Sequence, residues 1–340
     1  TQGQSFTLVE PDAGFKEAHF PAACLADIDN DGDLDVFYLG NDADDLPQSH
    51  MYSNDGGNNF TEFFPAITGL SYASCDFADM DNDGDADLAV MGFDGSNNVS
   101  KIYRNEGGFN FTDINAGLEG LASGTLRWGD YDHDGFPDLL LAGLNNDGFP
   151  VTYLYRNLDG SEFADSTSGL AGMAYSSLAW SDFDKDGDLD FGICGKDSLD
   201  QARTMIYTNT NGLFEPLDAG LEGLWDGMLN WGDYNNDGYA DLLINGTDQN
   251  DQALTLVYKN MSGQSFDMLT GSFTGLSGGS ALWGDMNNDG NLDIVIAGTV
   301  LQGGTPPPPP EDPLMFVYSH TGGDQFQQQP VDNLEVPLSN

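Results

Sequence analysis

Residues Trp128 to Gly143 read WGDYDHDGFPDLLLAG, with four aspartates next to a glycine and then an apolar run. Charge gathered so close to a core segment needs an explanation. The string is one of six: LADIDNDGDLDVFYLG, FADMDNDGDADLAVMG, WSDFDKDGDLDFGICG, WGDYNNDGYADLLING and WGDMNNDGNLDIVIAG share its wording. Their first aspartates, Asp27, Asp79, Asp130, Asp182, Asp233 and Asp285, are spaced by 52, 51, 52, 51 and 52 residues. Such regularity is a structural period, so the chain is read as a repeat array.

Around each motif the pattern is that of short strands. In the third copy SGTLRWGD alternates, DLLLAG is a buried run, TYLYRN alternates again and NFTDI closes the unit. An aromatic stands two residues before the first aspartate in five copies (Phe77, Trp128, Trp180, Trp231, Trp283), with Leu25 in the first, which predicts a packed face on the innermost strand. The third strand ends in Tyr-x-Asn at Tyr52, Tyr103, Tyr155, Tyr207 and Tyr258, changing to Tyr318-x-His320 in the last copy. No window has helical periodicity. Four strands per unit of about 50 residues predict an all-β fold, a β-propeller of four-stranded blades. Six motifs favour six blades, with seven as the alternative, and residues 1–340 are expected to form a single propeller domain. The opening TQGQSF matches MSGQSF at 261–266, so a strand near Phe6 to Val9 is expected to join the last blade and fasten the ring.

The aspartates occupy positions 1, 3, 5 and 9 of the motif, with Gly at position 6. Position 1 is Asp27, Asp79, Asp130, Asp182, Asp233 and Asp285; position 3 is Asp29, Asp81, Asp132, Asp184, Asn235 and Asn287. Position 5 is Asp31, Asp83, Asp134, Asp186, Asp237 and Asp289, and position 9 is Asp35, Asp87, Asp138, Asp190, Asp241 and Asp293. Position 7 varies (Asp33, Asp85, Phe136, Asp188, Tyr239, Asn291), as expected of a residue that offers only its backbone carbonyl. Oxygen donors in a tight loop suit Ca²⁺, whereas Zn²⁺ would call for His or Cys, and neither recurs in the motif. An EF-hand would place glutamate at position 12 between helices. Here Tyr38, Val90, Leu141, Ile193, Ile244 and Ile296 stand there, so the motif is a calcium loop within a β-hairpin, and up to six Ca²⁺ ions are expected. Asn235 and Asn287 lower the ligand charge, so the last two loops are expected to bind more weakly.

The spacing Asp-x-Asp-x-Asp-Gly-x-x-Asp, preceded by Phe or Trp and followed by DLLLAG, resembles the FG-GAP or VCBS repeats of integrin alpha-subunit propellers and secreted bacterial proteins. The resemblance spans roughly residues 1 to 330 and implies a calcium-stabilised propeller, often of seven blades. It further implies an extracellular or cell-surface location, bacterial in wording, and a role in adhesion, ligand binding or assembly.

Composition narrows the partners. Acidic residues outnumber Lys and Arg 56 to 9, for a net charge of -47, which repels nucleic acid and anionic membrane surfaces. No apolar run approaches 18 residues, so direct membrane insertion is not expected, and the first ten residues have no leader features. Cys24, Cys75 and Cys194 sit in strand-like segments and are read as small buried apolar side chains rather than a disulfide framework.

Recognition is expected on the face opposite the calcium loops, where the variable connections gather. It includes Tyr72, Tyr175 and Trp225 in the returning connections and the proline-rich loop 299–313, with Pro306 to Pro310 an extended spacer. The partner class is an extracellular protein or a glycan, with a lectin-like propeller as the alternative reading. No enzyme is expected, a polysaccharide-active enzyme being the last of the three readings. Gly275-Leu276-Ser277-Gly278-Gly279 matches G-x-S-x-G but lies where other repeats have GLEGL or GLAGM, and the four histidines occupy unrelated repeat positions.

Overall fold

The computed structural model describes residues 14–56, 59–167, 169–271, 273–299 and 314–329. Their 24 strands form six four-stranded antiparallel sheets, each built from strands consecutive in sequence. These are the six blades of a β-propeller, at 19–63, 71–113, 122–165, 174–217, 229–268 and 277–329. Blade 3 is typical. Its inner strand Ala122–Gly129 pairs with Asp138–Leu144, then Pro150–Asn157, then the short outer strand Phe163–Asp165. The apolar run after the motif is the second strand, buried on both faces, which is why DLLLAG does not alternate.

Five apolar clusters fill the spaces between consecutive blades. The one between blades 2 and 3 joins Met80, Met91 and Ile102 to Leu126, Trp128 and Leu141. The motif aromatics face the preceding blade: Trp128 Nε1 donates to Asp76 O at 3.3 Å and Trp231 Nε1 to Ala179 O at 3.1 Å. Leu25 departs from the expected packed face and is 58% exposed, because among the described residues the clusters run only between consecutive blades from the first to the sixth. Each connection between blades is pinned by the third-strand tyrosine, whose hydroxyl accepts a main-chain amide: Glu119 to Tyr155, Ala171 to Tyr207 and Glu222 to Tyr258, all at 2.9 Å.

The expected fastening strand near Phe6 to Val9 lies outside the described residues. The outer position of blade 6 is filled by Gln325–Gln329. The proline-rich loop also lies outside them, apart from Thr299. Among the described residues no helix is long and apolar enough to cross a membrane.

The expectation for the cysteines is overturned. Cys24 and Cys75 form a disulfide between the inner strands of blades 1 and 2, with Cα atoms 6.1 Å apart, while Cys194 is free and buried. The two cysteines are one repeat apart, and ring packing sets the inner strands of neighbouring blades side by side. Strand-like surroundings hid that pairing.

Candidate metal centre

In five of the six loops the first-position aspartate organises the loop through its main chain. Oδ1 and Oδ2 of Asp27 accept the amides of Asp31 and Gly32, both at 3.0 Å, and Asp79, Asp130, Asp233 and Asp285 repeat the arrangement. The fifth-position carboxylate then accepts the amide of the seventh residue, as in Asp31 with Asp33 at 2.9 Å. The turn needs a left-handed residue at position 6, where Gly32, Gly84, Gly135, Gly187, Gly238 and Gly290 have φ between 87° and 99°.

The ninth aspartate is placed differently. Asp35, Asp87, Asp138, Asp190, Asp241 and Asp293 start the second strand and have no exposed surface. Asp138 Oδ2 accepts the amide of Tyr131 at 3.1 Å and Oδ1 the amide of Asn157 at 2.8 Å, so one carboxylate ties the loop to the third strand. Burial, reinforced by the acidic neighbours, pushes the carboxyls of Asp87, Asp138, Asp190 and Asp241 up to about 7, and those of Asp35 and Asp293 also rise.

In four loops positions 1, 3 and 9 converge. Asp27, Asp29 and Asp35; Asp79, Asp81 and Asp87; Asp130, Asp132 and Asp138; and Asp182, Asp184 and Asp190 each bring oxygens within 4.8 Å of one another. The fifth-position aspartates are not part of these triads, and Asn235 and Asn287 leave the last two loops without one among the described residues. Seventh-position side chains turn toward neighbours instead: Asp85 accepts from Asn30 at 2.7 Å, Asn291 from Asn236 at 3.3 Å, and Lys185 lies 4.8 Å from the centre of the Tyr239 ring. Asp188 accepts the amide of Asn211.

The donor set fits a hard cation. Oδ1 of Asp29, Asp81 and Asp182 and Oδ2 of Asp190 are buried with no hydrogen-bond partner in the protein. A buried carboxylate oxygen is costly unless something positive or a donor meets it, and Ca²⁺ takes several such oxygens in flexible geometry.

The residues expected on the opposite face form a smaller group. Tyr72 and Tyr175 lie in the inner strands Ser71–Ala78 and Ala174–Ser181, at bulges with φ of 49°, rather than in the connections. Tyr175, 44% exposed, meets Trp225 edge to face at 5.9 Å, and Lys196 Nζ lies 4.0 Å from the centre of the Trp225 ring. Tyr72 belongs to blade 2 and is 54% exposed. Gly275 has a packing reason: a Cβ there would come 1.9 Å from Ala253 O.

Two sets of residues escaped sequence reading. The third-strand asparagines reach back one blade: Asn105 Nδ2 donates to Ile28 O at 3.0 Å, Asn157 to Met80 O at 2.8 Å, Asn209 to Tyr131 O at 2.9 Å and Asn260 to Phe183 O at 2.8 Å. The recurring Tyr-x-Asn was the available signal. Arg104 and Arg156, inside that tripeptide, grip loop carboxylates.

The FG-GAP-like repeat model matches residues 27–90, 130–193 and 233–296, together more than half of the sequence. The chain belongs to the FG-GAP-like repeat family. Each match runs from the first aspartate of one motif into the second strand of the next blade, so each takes in two aspartate motifs. No curated protein matches the sequence. Among solved structures, the Vibrio cholerae biofilm matrix protein Bap1 is similar over 77% of this chain, with 15% identity and a TM-score of 0.42; the chain spans 40% of that protein's length. A mutant of Aleuria aurantia lectin in complex with Fucα1-6GlcNAc is similar over 93% of this chain and 97% of its own, with 10% identity and a TM-score of 0.47. The same lectin with α-methyl-L-fucoside aligns at 11% identity over 93% and 96%, also with a TM-score of 0.47.

Proposed function

We propose that this chain is a calcium-binding propeller that acts outside the cell as a recognition or assembly module, not as an enzyme. The observation that carries the reading is the set of buried, unpartnered carboxylate oxygens within the aspartate triads. Bound calcium supplies the positive charge that lets these oxygens converge beside the core. The chain supplies the rest: amides of positions 5, 6 and 7 hold the first and fifth carboxylates, and the ninth carboxylate fastens the loop to the third strand. An oxidising extracellular environment agrees with the Cys24–Cys75 disulfide.

Recognition belongs to the face away from the loops. A rigid ring that presents Tyr175, Trp225 and Lys196 together offers aromatic surface with a cation beside it, a combination suited to a protein or a glycan. The exposed Tyr175 ring favours the lectin-like version as a second reading, since a sugar stacks on such a ring. Calorimetric titration with Ca²⁺ and Mg²⁺ tests the metal reading, with calcium expected to bind more tightly and to several sites. Heat signals for neither ion would remove it. A glycan array run with calcium separates the two partner classes: binding to a defined sugar selects the lectin version, and a blank array selects a protein partner.

A further inference from the structure

Two of the four aspartate triads already hold a cation that belongs to the protein. The residue after the third-strand tyrosine is Arg104 in blade 2 and Arg156 in blade 3. Arg104 Nε lies 2.7 Å from Asp81 Oδ2, and its Nη2 donates to Gly160 O of the next blade at 3.0 Å. Arg156 Nε pairs with Asp132 Oδ2, and its Nη2 donates to Asp134 Oδ2 at 2.9 Å. Asp81 and Asp132 are the third-position members of their triads. Asp81 keeps Oδ1 buried and unpartnered, so the guanidinium takes one oxygen and leaves the other to the site.

The equivalent residues elsewhere are Ser53, Thr208, Lys259 and Ser319. Ser53 donates to Asp55, Thr208 to Glu215 O, and Lys259 pairs with Asp324 in blade 6. The triads of Asp27 and Asp182 therefore have neutral residues where those of Asp79 and Asp130 have arginine.

We propose that Arg104 and Arg156 are positioning residues that rank the cation sites, so that the loops starting at Asp27 and Asp182 bind tightly and those starting at Asp79 and Asp130 bind more weakly. The inference rests on reading the loops as calcium sites. A fixed positive charge a few ångströms from an incoming dication subtracts from the attraction of the carboxylates. Both arginines are partly exposed, so screening reduces the penalty to about tenfold in affinity. The contact of Arg104 with Gly160 also binds blade 2 to blade 3, and loss of that contact alone would lower stability without raising calcium affinity.

The test is a competition titration of the full chain against a calcium-chelating dye, comparing wild type, R104Q/R156Q and T208R. Wild type should show two tight sites. The double variant should move two further sites into the tight class, each gaining about tenfold, and T208R should reduce the tight class to one by placing a cation beside the triad of Asp182. The proposal is overturned if wild type fills four sites with equal affinity, or if R104Q/R156Q leaves affinity unchanged or lowers it. T208R decides the matter should the glutamine variants fold poorly: an unchanged count of tight sites overturns the ranking. Absence of calcium binding in all three proteins would remove the calcium reading itself, an outcome distinct from four equal sites.

Discussion

The main-chain amide of Asn157 donates to Asp138 Oδ1 at 2.8 Å, while the side-chain amide of the same asparagine reaches Met80 O in the preceding blade at 2.8 Å. Asn157 Oδ1 also accepts the amide of Gly160 at 2.7 Å. One buried residue thus joins a loop aspartate of its own blade, through its main chain, to the loop of its neighbour, through its side chain. Asn157→Ala should leave the Met80 carbonyl and the Gly160 amide without partners, at about 1–3 kcal/mol for each orphaned group. Denaturant unfolding should show a loss of at least about 2 kcal/mol, and a loss within error of wild type would mean that water replaces the asparagine.

Calcium should act as a folding ligand. At a free concentration 100-fold above the dissociation constant, each site adds about 2.7 kcal/mol. Excess chelator should therefore lower the thermal midpoint by many degrees. Calcium-loaded protein that melts at the same temperature before and after chelation would contradict the reading.

The pH dependence should reverse with metal. Burial raises the carboxyls of Asp87, Asp138, Asp190 and Asp241 to about 7 in the folded chain, against an ordinary value of 3.8. The folded state then binds more protons than the unfolded one between these values, so stability without metal falls as pH rises from about 4 to about 7 and levels off above. Chelated protein should melt higher at pH 5 than at pH 8. With excess calcium the order should invert, because protons compete for the same oxygens. Calorimetric scans at both pH values decide it, and a chelated protein more stable at pH 8 would count against the burial argument.

The Cys24–Cys75 disulfide closes a chain segment across two blades, with a sequence separation of 51. Replacing both cysteines by serine should cost about 2–4 kcal/mol by restoring freedom to the unfolded chain. Equal denaturation midpoints for the variant and wild type, each with calcium, would show that the packing between blades 1 and 2 suffices alone.

Trp225→Ala addresses the recognition face. It removes the ring that Tyr175 and Lys196 touch, on a residue that bridges Thr247, at the opposite end of the strand Asp241–Thr247 from the motif aspartate. Loss of a central aromatic anchor costs roughly 2 kcal/mol or more, which is over tenfold in affinity. The variant should lose binding to glycans or surface proteins that retain wild type, with calcium-dependent melting nearly unchanged. Early unfolding would instead make Trp225 a packing residue between blades.

Much of this protein is local and repeated, and that part was legible in the amino-acid sequence. The 51- or 52-residue period, the strand alternation and the glycine at position 6 predict blades and tight loops without reference to anything distant, because strand pairing within a blade joins consecutive segments. The convergence of positions 1, 3 and 9 in the four loops that carry aspartate at all three was legible for the same reason, since it is set within one hairpin. What tertiary structure decided involves residues one period or more apart. Cys24 meets Cys75 across 51 residues, Asn157 meets Met80 across 77, and Arg104 meets Gly160 across 56. Ring packing alone fixes which face of one blade lies against the next. The left-handed bulges that turn Tyr72 and Tyr175 outward depend on the inner strands as well, since they form where the register with the second strand slips.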